Sequence, residues 1–221
     1  MGDLMGYTHY WKYTIIPPET MRRISADFAR LIPLFYEMNI KLAGSDGVGP
    51  PHCSNKKLAF NGFAACGHVS EDLGITWPSK HAGDIKTFED NKGTGTQKTA
   101  LSVVSGQWFA GAELNTRTCG GDCSHESFIL RVVEQPNKRE ERGPYSHLLS
   151  KPEDRFYFDS CKTAFKPYDL AVQCALIIAQ HHINAAKHPF IITSDGGAEL
   201  WKEAALIVFL ELGYKDFKLG A

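Results

Sequence analysis

Residues 167–182 read PYDLAVQCALIIAQHH. Pro167 suits the first helical position, where a backbone N–H would go unpaired anyway, and Asp169 sets a negative charge against the positive end of a helix. From Leu170 to Ala179 the residues are apolar nearly all round. A helix without a wet face must be covered on most sides, so 167–182 is expected to be a central element of the core. Downstream, Pro189–Thr193 is a short apolar strand, and Ser194-Asp195-Gly196-Gly197 turns the chain into a second helix over about 198–212. Gly213 is placed to close that helix in the left-handed conformation.

Upstream, residues 6–14 (GYTHYWKYT) alternate and are rich in aromatics and Thr, the pattern of a strand. Tyr7, His9, Trp11 and Tyr13 share one face, with Thr8, Tyr10 and Lys12 on the other. After Pro17-Pro18, the residues Met21, Ile24, Phe28, Leu31 and Phe35 recur at helical spacing. Pro33 is expected to end or kink that helix near Leu31–Ile32. A short strand leading into a loop is expected within 41–56, and strands over 57–63 and 126–134. Residues 64–120 read as an insertion with short elements of its own, and about 135–154 as a polar surface loop.

Helices and hairpin-like strands mix without regular βαβ alternation. The expected fold is therefore α+β: a mixed or antiparallel sheet with three main helices packed on it, one insertion, and a single domain over 1–221. The 221 residues are 43% apolar and 22% charged, which excludes disordered and low-complexity classes. The 24 Lys+Arg against 25 Asp+Glu argue against a molecule-wide grip on nucleic acid. No stretch approaches the roughly 20 apolar residues of a membrane span, and no secretory pattern is visible, so no membrane partner and a cytoplasmic location are expected. In that compartment the six cysteines are thiols or ligands rather than a disulfide framework.

Chemistry-bearing residues gather in a few places. Lys162 and Lys166 precede the helix at 167, where N–H groups and the helix dipole favour an anion. They form an anion site, or are two solvated lysines with Asp169 engaging the dipole. Cys161 beside them is a thiolate nucleophile if its pKa is lowered, or a small buried hydrophobe. On the strand after Ser124, His125, Ser127, Ile129 and Arg131 share one face, and Glu126 lies on the other. His125 or Glu126 suits general acid–base work and Arg131 an anion clamp; an exposed sheet face is the alternative. His9, among Tyr7, Tyr10 and Trp11, is either a proton carrier beside an aromatic stacking wall or a satisfied core histidine. Asp195 is a helix N-cap or a ligand contact at a strand end. No metal or other cofactor is expected. Zinc held by Cys and His of the insertion is the alternative: His52-Cys53, Cys66-Gly67-His68 and Cys119-x₃-Cys123-x-His125 supply donors, but not at C-x₂-C spacing.

Several segments together resemble a largely uncharacterised family of small bacterial and phage proteins. Its members carry Gly-Tyr-Thr-His-Tyr-Trp, here Gly6–Trp11; Ala-Gly-x-Asp-Gly, here Ala43–Gly47; and Phe-Asn-Gly, here Phe60–Gly62. A His-Glu-Thr-Phe strand follows, here His125–Phe128 with Ser127 for Thr. Next comes Cys-Lys-Thr-Ala-Arg-Lys-Pro-Tyr-Asp, here Cys161–Asp169 with Phe165 for Arg. A Ser-Asp-Gly turn before a Trp-bearing helix closes the series, here Ser194–Gly196 and Trp201. The resemblance implies scrutiny of Thr8, His9, Asn61, His125, Glu126, Arg131, Cys161, Lys162, Lys166, Asp169 and Asp195.

The expected function is group transfer or hydrolysis on a small polar or anionic substrate. His9, His125, Glu126 or Cys161 would do the chemistry, and Trp11, Asn61, Arg131, Lys162, Lys166 and Asp195 would bind. Two alternatives stay open. One is an aminoacyl-tRNA-dependent transferase forming an amide or cyclic dipeptide, with the 137–142 loop meeting RNA. The other is a non-enzymatic protein that sequesters a nucleotide-like ligand.

Overall fold

A computed structural model describes residues 6–68, 72–73, 75–78, 80, 86–90, 104–109, 112–115, 117–135 and 156–220. In chain order the elements are β1 (Thr8–Tyr13), α1 (Pro18–Glu37), β2 (Leu42–Ala43), β3 (His52–Cys53), β4 (Lys57–Gly62), β5 (Asp72–Leu73), β6 (Lys86–Asp90), β7 (Val104–Phe109), β8 (Ala112–Glu113), β9 (Arg117–Thr118), β10 (Phe128–Arg131), β11 (Tyr157–Lys162), α2 (Asp169–Ala185), β12 (Phe190–Ser194) and α3 (Lys202–Leu212). A 3-10 turn, Ala198–Trp201, precedes α3. The fold is α+β, as expected.

The first sheet has the order β11-β1-β12 and the second β10-β4-β2, with β3 also on β4. Both are antiparallel. Alternation puts Tyr7, His9, Trp11 and Tyr13 on the inner face of β1, all buried. Against that side lies α2, whose residues from Asp169 to Gln180 are all buried. The stripe of α1, Met21, Ile24, Phe28, Leu31 and Phe35, is fully buried in the same core. Asp27 of α1 accepts from His182 Nε2 of α2 (2.7 Å) and from the hydroxyl of Tyr214 (2.6 Å), which joins both helices to the C-terminal segment.

Three expectations need correction. Pro33 does not end α1, which runs on to Glu37. An interior proline costs about 3 kcal/mol, but stopping there would forgo the burial of Leu34 and Phe35 at about 1.5–3 kcal/mol each. The second helix starts at Asp169 rather than Pro167. Ala164 and Phe165 both take left-handed backbone (φ 50° and 55°), so 163–168 is a tight turn in place of a helical start. Residues 157–162, not anticipated as a strand, form the edge strand β11. Within the stretch read as an insertion, Ile75, Trp77 and Leu114 lie in the main core. The 137–142 loop and most of the expected loop at 135–154 lie outside the described residues. No helix among the described residues is long and apolar enough to cross a membrane.

Candidate active site

The antiparallel register sets His9 of β1 opposite both Ser194, the last residue of β12, and Cys161 of β11. On the inner face, the His9 ring meets Ser194 Oγ at Nδ1 (3.0 Å) and Asp169 Oδ1 at Nε2 (2.8 Å). Asp169 also accepts from Thr163 Oγ1 (2.6 Å) at Oδ1, and from Arg117 Nε and Nη2 (both 3.2 Å) at Oδ2. His9, Asp169 and Arg117 are fully buried, whereas Ser194 is half-buried at the strand end.

The charges around Asp169 assign the tautomer. Burial alone would raise its pKa, but His9, Arg117 and Thr163 hold it below the ordinary carboxylate range, so it is ionised and accepts only. His9 must therefore carry its proton on Nε2 and give it to Asp169. In the neutral ring the Nδ1 lone pair can then accept from the Ser194 hydroxyl, which also lies 3.4 Å from the Thr8 carbonyl oxygen. A hydroxyl, an imidazole acceptor and an orienting carboxylate thus stand in line, the arrangement that activates a nucleophile. Gly196 N–H donates to Ser194 Oγ (3.2 Å). Tyr7, edge-on to His9 at 4.9 Å, brings its hydroxyl to Ser194. Burial, reinforced by the Asp169 charge, pushes the Tyr7 phenol up to about 12, which keeps it a neutral hydroxyl.

Behind the relay, the Arg117 guanidinium meets a second buried carboxylate, Glu203 of α3. Glu203 Oε2 accepts from Asn115 N–H (2.8 Å). Burial drives the Glu203 carboxyl above its ordinary range, with Arg117 pulling the other way. The guanidinium is thus shared between two buried carboxylates, Glu203 and Asp169. Phe165 lies edge-on to Tyr7 at 4.7 Å and 5.4 Å beneath the guanidinium. Its left-handed backbone is therefore strain located at the site.

The other expected site residues are dispersed, with only some of them meeting. His125 and Glu126 are exposed and brace Lys162: His125 Nδ1 donates to Lys162 O (2.7 Å), and Glu126 Oε2 accepts from Lys162 N–H (2.7 Å). The Lys162 stem lies against Gly6. Asn61 is buried and serves backbone rather than ligand, donating to His125 O (2.8 Å) and accepting from His125 N–H (3.1 Å). Lys166 Nζ donates to the carbonyls of Cys119 and Asp122, both at 2.6 Å. No anion-holding pair of lysines therefore forms at the start of α2, where the Asp169 carboxylate already sits. Cys161 is buried with its thiol on Glu126 O (3.3 Å), and burial pushes that thiol above its ordinary range, which opposes a thiolate. Trp11 packs against Phe128 in the core (5.3 Å) and forms no open stacking wall. Arg131 is exposed and borders a cleft of about 420 Å³ between β10 and β11, with Ser127, Tyr157 and Asp159. It also borders a second cleft of about 620 Å³ with Lys56 and Lys57. Asp195 accepts from Thr8 N–H (2.9 Å) and Tyr10 hydroxyl (3.2 Å) at the rim of the relay.

Of the Cys and His considered as metal donors, Cys66, His68, Cys119 and Cys123 come together. His52 bonds Ser54, and His125 is engaged with Lys162. Sequence reasoning reached His9 and Asp169 but missed Ser194, Arg117 and Glu203. The Ser194 pairing follows from strand register, and Arg117 sits in the stretch read as an insertion. No protein-family model, no curated protein and no solved structure matches this chain.

Proposed function

We propose that the protein is an enzyme that hydrolyses or transfers an acyl group of a small polar substrate through Ser194. The observation that carries this reading is the hydrogen-bonded line from half-buried Ser194 through His9 to the sealed, ionised Asp169. Ser194 Oγ attacks the acyl carbon while its proton passes to His9 Nδ1. The imidazolium is steadied by Asp169 and returns that proton to the leaving group as the bond to the acyl carbon breaks. Water, or an acceptor alcohol or amine, then attacks the acyl-enzyme by the same steps in reverse, and the proton comes back to Ser194. Three of the segments that carry the family resemblance, Gly6–Trp11, Cys161–Asp169 and Ser194–Gly196, meet at this relay.

A second reading, ligand binding without turnover, is favoured by the cleft bordered by Lys56, Lys57 and Arg131, whose cations suit a phosphate or carboxylate.

The test is labelling with a fluorophosphonate probe followed by peptide mapping, alongside hydrolysis of short p-nitrophenyl esters. The expected label is on Ser194. It should be absent in Ser194→Ala and reduced at least about 100-fold in rate in His9→Gln, with Ser194→Ala keeping the parent melting temperature. A label elsewhere, or ester turnover that survives Ser194→Ala, removes the proposal.

A further inference from the structure

We propose that Cys66, His68, Cys119 and Cys123 bind one zinc ion in a closed, structural Cys₃His site. The four donor atoms all lie within 4.8 Å of one another, with Cys123 Sγ 3.3 Å from His68 Nδ1. A tetrahedron with Zn–S of about 2.3 Å and Zn–N of about 2.0–2.1 Å has edges of about 3.5–3.8 Å, so small side-chain adjustments bring all four donors onto one ion. The donors come in two close pairs, Cys-x-His and Cys-x₃-Cys, each on a turn. Gly67, Gly120 and Gly121 have φ of 71°, 60° and 83°, backbone that other residues rarely adopt. The turns aim amides at sulfur, as in Gly121 N–H to Cys119 Sγ (3.4 Å), a pattern that supports thiolate ligands.

Packing and charge point the same way. Cys66, Cys119 and Cys123 are buried, yet among the described residues they form a cluster of their own, separate from the main core and with no other buried apolar side chain in it. Three small thiols bury too little surface to hold two loops together, whereas a metal ion does so directly. Three thiolates, a neutral histidine and Zn²⁺ sum to one negative charge. Lys41 Nζ on Cys66 O and Lys166 Nζ on Cys119 O, each at 2.6 Å, supply nearby positive charge. Four protein donors leave no open position for a substrate, so the ion is structural rather than catalytic. Its consequence is positional: Cys119 is two residues beyond Arg117, and the ion fastens the segment that delivers the guanidinium to Asp169.

The experiment is elemental analysis of the full-length protein purified under reducing conditions, followed by X-ray absorption at the zinc edge. The expected result is about one zinc per chain with three sulfur neighbours near 2.3 Å and one nitrogen near 2.0–2.1 Å. The Cys119→Ser/Cys123→Ser variant should fall below about a tenth of that content. Because this variant can fail to fold, His68→Cys, which keeps four donors, and Cys53→Ser, outside the cluster, should retain the ion. The proposal is overturned by metal-free protein that takes up no zinc when titrated with zinc chloride, by a disulfide among these cysteines in the fresh protein, or by zinc retained in the double serine variant. Metal content is read without any activity, so failure here leaves the Ser194 reading untouched, and the reverse.

Discussion

Replacing Arg117 with Met keeps much of the stem but removes the buried cation that two buried carboxylates share. Breaking a buried charge pair from one side costs about 3–5 kcal/mol, because the remaining charge stays dehydrated and uncompensated. Asp169 keeps His9 and Thr163 as partners. Among the described residues Glu203 keeps only the Asn115 amide, so the proton should go to Glu203. Its carboxyl, already raised by burial, rises further. Between the unfolded carboxyl pKa of about 4.3 and that raised value, the folded state binds more protons than the unfolded one, so stability falls as pH rises. Taking the pH from 7 to 5 therefore returns part of the loss, set by how much further the Glu203 carboxyl rises in the variant than in the parent. Urea unfolding followed by tryptophan fluorescence, on parent and variant at both pH values, measures the difference. Arg117→Met/Glu203→Leu should recover at least about half of the loss at pH 7, because it removes the stranded acid. A single-variant loss below about 1 kcal/mol, or one equal at both pH values, would refute the reasoning.

Two further outcomes follow from the packing and the charges. A Cβ on Gly62 would lie 1.8 Å from the carbonyl oxygen of Cys123, a backbone atom with no rotamer to escape by. Gly62→Ala should therefore displace the 119–123 turn, lower stability by about 1–3 kcal/mol in urea, and reduce zinc content. Burial, opposed by Asp27, holds His182 below the ordinary imidazole value. As pH drops below about 6.5 the unfolded chain takes up the proton first, so stability falls from pH 7 toward 5. His182→Gln should flatten that slope; an unchanged slope would place the effect elsewhere.

Elements whose pattern is local were legible in the sequence. The α1 stripe from Met21 to Phe35, the apolar wrap of α2, the faces of β1 and the Gly213 stop each follow from residues a few positions apart, and Gly213 takes the left-handed conformation (φ 81°). β11 was hidden because it is a half-exposed edge strand, where Phe158 and Ser160 point outward and Asp159 and Lys162 blur the alternation. The site was legible only in part. His9 and Asp169 stood out by residue type, but the partner of His9 lies 185 positions away and is set by register. Lys162 and Lys166 looked like anion ligands because side-chain direction cannot be read from spacing. One turns along Gly6, and the other caps carbonyls of the cysteine-bearing turn. The two donor pairs of the Cys/His cluster stand some fifty residues apart, so no short spacing announced them.

Arg117 enters the interior from a stretch that looks, along the chain, like an ornament on a simpler fold. Its guanidinium is sealed among side chains of α2 and α3, so that stretch is not detachable. A chain shortened across it would carry two acids inward without their counter-ion. Any evolutionary trimming or grafting there has to rewrite Asp169 and Glu203 in the same stroke, which makes three distant positions inherit one another's changes.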